Sequence, residues 1–194
     1  MIMFTFDRIV CVTNRRLCRG DFLTRIREIA RVKPKAIILR EKDMSEADYE
    51  RLAEEVMRIC RAEHVDCILH SFIEVAARLD AEAIHLPFSA IEKTNVDRRF
   101  RSIGVSCHSP EEARIAEAWG ASYLIAGHVF ATNCKRDLAP RGVEFIRRVT
   151  RAVHIPVFAI GGINRDNVGE VFQAGAAAAC IMSGFFVDTG GDFT

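Results

Sequence analysis

The chain has 194 residues, 49% of them hydrophobic and 27% charged, which is enough to bury a sizeable core without disulfides or a structural metal. Lys and Arg total 27 against 26 for Asp and Glu, so no overall field draws the protein to nucleic acid or to a membrane surface, and a small-molecule partner is expected. The opening Met1 to Phe6 lacks the charged start and long apolar centre of a signal peptide, and no apolar run is long enough to span a bilayer; a cytoplasmic protein is expected.

Short β-branched runs recur along the chain at 8–13, 36–40, 66–69, 83–86, 102–106, 122–126, 156–160 and 178–182, each followed by a segment of helix length. They are almost continuously apolar, as strands covered on both faces must be. After the second run, Ser45 can cap a helix with Asp48 three residues on, and Leu52, Val56, Ile59 and Cys60 then share one face. After the fifth, Ser109-Pro110-Glu111-Glu112 reads as an N-cap, a Pro at the first helical position and a capping-box Glu, with Gly120 as the stop. After the seventh, Asn164 caps a segment running from Arg165 to Gly175.

A doubly wound open sheet shows the same alternation, but the unit count and a late glycine motif favour a (βα)8 TIM barrel forming one domain over 1–194. Only Ser183 to Thr194 follow the eighth strand, so the eighth helix is expected to be short or missing, replaced by a turn or covered by a partner. The seven cysteines include no CxxC pair and read as reduced, packing thiols. Cys107 and His108 are adjacent on a strand, point to opposite faces and form no dyad.

Three places carry candidate chemistry. Gly161-Gly162 lie between a buried strand and a capped helix, and Ser183-Gly184 end the eighth strand; bare backbone N–H groups there suit a phosphate, in the position where many barrels bind one. The long polar loop from Gly127 to Gly142 opens with His128, which can reach the barrel mouth as a neutral proton acceptor, while Thr132 and Lys135 can hold an anion. Leu39-Arg40-Glu41-Lys42-Asp43 is a charge cluster at a strand end, either a solvated rim or, through the Arg40 fork, a carboxylate site. The spacing of the histidines gives no metal signature.

Leu39 to Asp43, Ile103-Gly-Val-Ser106, Gly127 to Thr132 through Lys135, and Ala159-Ile-Gly-Gly-Ile163 together resemble the thiamine phosphate synthase superfamily, in order and over nearly the whole chain. The resemblance implies a (βα)8 barrel, commonly a homodimer. Synthases of this kind carry an Asn-Asp pair after strand three and a Gly-Gln-x-Asp turn after strand four, acids that hold magnesium; here those places read Leu69-His70-Ser71 and Leu86-Pro87-Phe88-Ser89-Ala90. The 127–142 loop instead resembles that of the TenI-like thiazole tautomerases. The resemblance therefore implies an isomerase of thiamine biosynthesis that aromatises a thiazole carboxylate phosphate by proton transfer, without metal or organic cofactor. His128 would transfer the proton. Gly161, Gly162, Ser183 and Gly184 would hold the phosphate, assisted by Thr132 and Lys135, and Arg40 the carboxylate. The alternatives are a thiamine phosphate synthase and a non-catalytic, regulatory binder of thiazole phosphate.

Overall fold

The computed structural model describes residues 6–93, 99–132 and 138–187. Eight parallel strands close in chain order into a barrel: β1 (Ile9–Val12), β2 (Ala36–Leu39), β3 (Asp66–His70), β4 (Ala83–Pro87), β5 (Ser102–Cys107), β6 (Tyr123–Gly127), β7 (Val157–Ile160) and β8 (Ala178–Ile181). β8 returns to β1, with Cys11 opposite Ile181. The helices among the described residues are α1 (Phe22–Arg31), α2 (Glu46–Glu63), α3 (Ile73–Arg78), α4 (Pro110–Trp119), α5 (Gly142–Ala152), α6 (Val168–Gln173) and α7 (Ser183–Phe186). None of them is long and apolar enough to cross a membrane.

The period of two along each strand sorts the core into two shells. Val10, Val12, Ile38, Ile68, Tyr123, Ile125, Phe158 and Cys180 fill the barrel interior. Ile9, Cys11, Ile37, Leu39, Leu69, Leu124 and Ala159 face outward into a continuous layer shared with the helices. β1, β2, β6 and β8 are buried at every position, which is why their sequences run apolar without alternation.

Helix starts follow the capping chemistry. The Ser45 hydroxyl accepts from the Asp48 N–H at 3.2 Å. On α2 the buried stripe is Tyr49, Ala53, Val56, Ile59 and Cys60, and Leu52, expected on that face, is only half-buried at its margin. Tyr49 extends the stripe toward the mouth: its hydroxyl donates to the Leu39 carbonyl at 2.7 Å and accepts from the His70 N–H at 2.9 Å, fixing the ends of β2 and β3. On α4 the Ser109 hydroxyl accepts from the Glu112 N–H at 3.1 Å, while the Glu112 carboxylate accepts from the His108 N–H at 2.6 Å.

Two expectations are corrected. The helix after β7 begins at Val168, not Arg165, because the Asn164 carbonyl oxygen of its side chain accepts from the N–H groups of Asp166 and Asn167 and folds the intervening residues into a turn. The segment after β4 forms a 3-10 turn over Phe88–Lys93 in place of an α-helix there. The eighth helix is short, as expected: α7 buries Phe185 and Phe186, stacks Phe186 on Phe22 with ring centres 5.9 Å apart, and is tied to α1 by Arg25 Nε donating to the Phe185 carbonyl at 2.7 Å. One turn carrying two buried aromatics thus fills the position of a longer helix.

Candidate active site

At the carboxyl ends of the strands the interior opens into a cavity of about 520 Å³, within the ~300–1,000 Å³ that small-ligand sites occupy. The inward-facing positions of the strands, continued a residue or two into the loops, build its wall: Val12 and Asn14 from β1, Arg40 and Lys42 after β2, His70, then His85 and Pro87, Ser106 and His108, Gly127 and His128, Ile160 to Ile163, and Cys180 to Ser183.

The charge cluster after β2 divides by the same alternation. Glu41, 2% exposed, turns away from the cavity and accepts from the Thr13 hydroxyl at 2.6 Å and the Arg15 N–H at 3.0 Å. Asp43 pairs with Arg15 at 2.6 Å and Arg16 at 2.7 Å, and the Arg15 guanidinium holds its carboxyl well below the usual range. These two acids clasp the β2 end to the β1 loop, and Arg40 and Lys42 face the mouth.

Four of the six histidines line this cavity: His70, His85, His108 and His128. Burial, reinforced by the neighbouring His85 and by the charges of Arg40 and Lys42, pushes the His70 imidazole down to about 2; burial, then Arg40 and Lys42, pushes His85 down to about 3. Both rings are therefore neutral at any working pH. His128 is 4% exposed, and its Nε2 lies 3.2 Å from the Leu138 carbonyl. A carbonyl only accepts, so Nε2 carries a hydrogen directed at it.

Gly161 and Gly162 line the cavity with φ of +107° and +64°. A Cβ on Gly161 would stand 2.3 Å from that of His128, and one on Gly162 2.4 Å from the Ala131 carbonyl oxygen. The glycine pair therefore serves both the cavity and the seating of the 127–132 loop. Thr132 and Ser183 also line the wall, so Arg40, His128, Thr132, Gly161, Gly162 and Ser183 converge on one site. Gly184 does not reach the lining and lies within α7. Lys135 lies outside the described residues.

The sequence reading assigned no role to His85, Ser106 or Tyr123. His85 Nε2 is 2.9 Å from the Ser106 hydroxyl and its Nδ1 3.3 Å from the Tyr123 hydroxyl. Only the strand register reveals this: His85 lies opposite Gly104, and Gly104 opposite Tyr123.

Among the described residues no carboxylate lines the cavity, and none form a group of three or more His, Cys, Asp or Glu able to hold a metal. At the end of β3 stand His70 and Ser71, and after β4 Phe88-Ser89-Ala90, with no carboxylate among them, not the hard oxygen set that magnesium prefers, so the residues present there do not fit that ion. The charged side chains among its described lining residues are instead the cations Arg40 and Lys42.

A family model described as thiamine monophosphate synthase matches residues 9–185. The thiamine-phosphate synthase of Fusobacterium nucleatum is 33% identical over 181 residues, covering 91% of this chain and 88% of its own. That of Methanospirillum hungatei is 37% identical over 155 residues, covering 77% and 74%. The solved structure of thiamine phosphate pyrophosphorylase from Pyrococcus furiosus superposes with a TM-score of 0.80 at 30% identity, covering 93% of this chain and 88% of its own. These relatives overturn the isomerase expected from the 127–142 loop, since all three are named for a transferase. The fit of His128 and Ala131 against the glycine pair gives the physical reason: the loop motif and the Gly161-Gly162 motif are packing partners, a demand of the barrel whichever reaction it runs.

Proposed function

Because the chain belongs to the thiamine monophosphate synthase family, we propose that it is a transferase joining the ring nitrogen of a thiazole phosphate to the methylene carbon of a pyrimidine diphosphate. The nitrogen lone pair forms the new C–N bond, the C–O bond to the diphosphate breaks, and the diphosphate leaves with that electron pair, so no redox partner is involved. The observation that carries this reading is a cavity with cations and bare backbone on its wall and no carboxylate among its described lining residues.

Two anionic groups must be accommodated, and the wall offers two places for them. Arg40 and Lys42 stand after β2 and supply fixed positive charge to the leaving diphosphate, where the residues do not suit magnesium. Gly161, Gly162 and Ser183, after β7 and β8, receive the thiazole phosphate, with Thr132 beside it. His128, which lines the same wall, is placed beside the thiazole. The test is product formation: purified protein supplied with both substrates, with and without a chelator, should yield thiamine phosphate and diphosphate in equal amounts. Binding of the substrates without any condensation would refute the transferase.

A second reading is favoured by one observation, His70-Ser71 and the turn Pro87 to Ala90 standing where the synthases carry metal-holding acids. In it the protein binds thiazole phosphate without catalysis, as a regulatory module. Calorimetric binding of thiazole phosphate together with no turnover is its signature.

A further inference from the structure

We propose that the Ser106 hydroxyl is held as a hydrogen-bond donor toward the cavity by a directed chain from Tyr123 through His85, so that this part of the floor selects a ligand atom carrying a free lone pair. This rests on the reading above only in taking the mouth cavity as the substrate site.

The chain is assembled by strand register. His85, Gly104 and Tyr123 are successive partners across β4, β5 and β6, and all three face the interior. A side chain on Gly104 would forbid the contact, since its Cβ would lie 2.1 Å from the Tyr123 ring and 2.5 Å from His85 Nδ1. With no side chain between them, the tyrosine hydroxyl reaches past β5 to the imidazole.

The directions of the bonds follow from what each group can do. A neutral imidazole has one N–H donor and one bare acceptor nitrogen. The groups facing this ring are Arg40 and Lys42, which favour the uncharged form, the ring of His70 at 5.6 Å, Tyr123 and Ser106. Tyr123 is 5% exposed, and among the described residues its hydroxyl hydrogen has no acceptor other than His85 Nδ1. Were Nδ1 to carry the hydrogen, a buried phenol would be left with a donor unsatisfied, at the full cost of its desolvation. The phenol therefore donates to Nδ1, which places the ring hydrogen on Nε2, aimed at the Ser106 oxygen. Ser106, having accepted from Nε2, directs its own hydrogen to the cavity it lines.

The ligand atom this selects is an acceptor: an unprotonated heteroaromatic nitrogen or a carboxylate oxygen, and not an N–H. His85 and Tyr123 are positioning residues, acting through Ser106. The test is the tautomer of His85, read by long-range proton–nitrogen correlation on protein labelled with ¹⁵N-histidine and assigned with His85→Gln. Unliganded wild-type protein should show the hydrogen on Nε2, and Tyr123→Phe should shift the ring toward a mixture of tautomers. A hydrogen on Nδ1 in the wild type, or a tautomer unmoved in Tyr123→Phe, overturns the chain. In the condensation assay Ser106→Ala and Tyr123→Phe should each lower kcat/KM about threefold to tenfold, the worth of one oriented hydrogen bond, with Ser106→Thr restoring most of the loss. The tautomer is read without substrate, so a protein that condenses nothing yet shows the Nε2 hydrogen refutes the transferase and supports the chain.

Discussion

Gly161 and His128 lie so close across the β6–β7 edge that a methyl group on the glycine would stand 2.3 Å from the histidine Cβ. Gly161 also has φ +107°, where side chains are strained. Gly161→Ala should therefore act twice, destabilising the fold by about 1–3 kcal/mol from backbone strain alone and pushing the 127–132 loop off its seat. Urea unfolding reads the first effect and the KM for thiazole phosphate the second. A variant with unchanged stability and KM would show that neither the close approach nor the cradle matters.

Arg40 and Lys42 are the cations that face the cavity from the end of β2. Removing either as Arg40→Ala or Lys42→Ala should raise the KM for the pyrimidine diphosphate by about tenfold or more, the value of a charge-assisted contact of ~1.5–3 kcal/mol. The KM for thiazole phosphate should move much less. Steady-state kinetics with each substrate varied in turn separates the two, and equal losses for both substrates would contradict the assignment of ends.

Glu41 is a structural carboxylate. It is 2% exposed and accepts from the Thr13 hydroxyl at 2.6 Å and from the Arg15 N–H at 3.0 Å. Glu41→Ala should cost about 2–3 kcal/mol of stability, since it strips a charged partner from buried donors, and Glu41→Gln should cost less because one amide oxygen still accepts. Thermal or urea unfolding checks the order of the three proteins.

The neutral imidazoles make the fold acid-sensitive. His70 and His85 titrate near 6.5 in an unfolded chain but are held at about 2 and about 3 in the folded one. Between those limits the unfolded state binds more protons, so their contribution is complete above pH ~6.5 and is lost as pH falls through 6.5 toward the folded values, at up to ~1.4 kcal/mol per pH unit for each ring. His85→Gln should flatten the fall in unfolding free energy between about pH 6.5 and 4. An unchanged slope would mean that His85 is charged in the folded protein.

Much of the architecture is legible in the sequence because it rests on local signals. Eight apolar runs give eight strands, and Ser45, Ser109 and Gly120 mark helix ends by side-chain oxygen or positive φ. What depends on pairing across strands is not legible. The network of His85, Ser106 and Tyr123 exists only because Gly104 sits between two strands in register, and nothing in the local sequence of β5 marks that glycine as a window. Glu41 reads as one more charge on a rim until Thr13 and Arg15 are brought against it from 26 to 28 residues away. The isomerase that the 127–142 loop suggests fails for a different reason: the opening residues of that loop are also constrained by packing on Gly161 and Gly162.

The most direct test of the transferase is the rate of diphosphate release in the presence of both substrates, measured for wild-type protein beside Ser183→Asp, which places a carboxylate in the phosphate cradle at an exposed position of the wall. The account predicts release matched by thiamine phosphate formation in the wild type, and a KM for thiazole phosphate raised by about a hundredfold or more in the variant, as expected of like charges brought together at a binding site. No release from the wild type, or the same KM in both proteins, would contradict it.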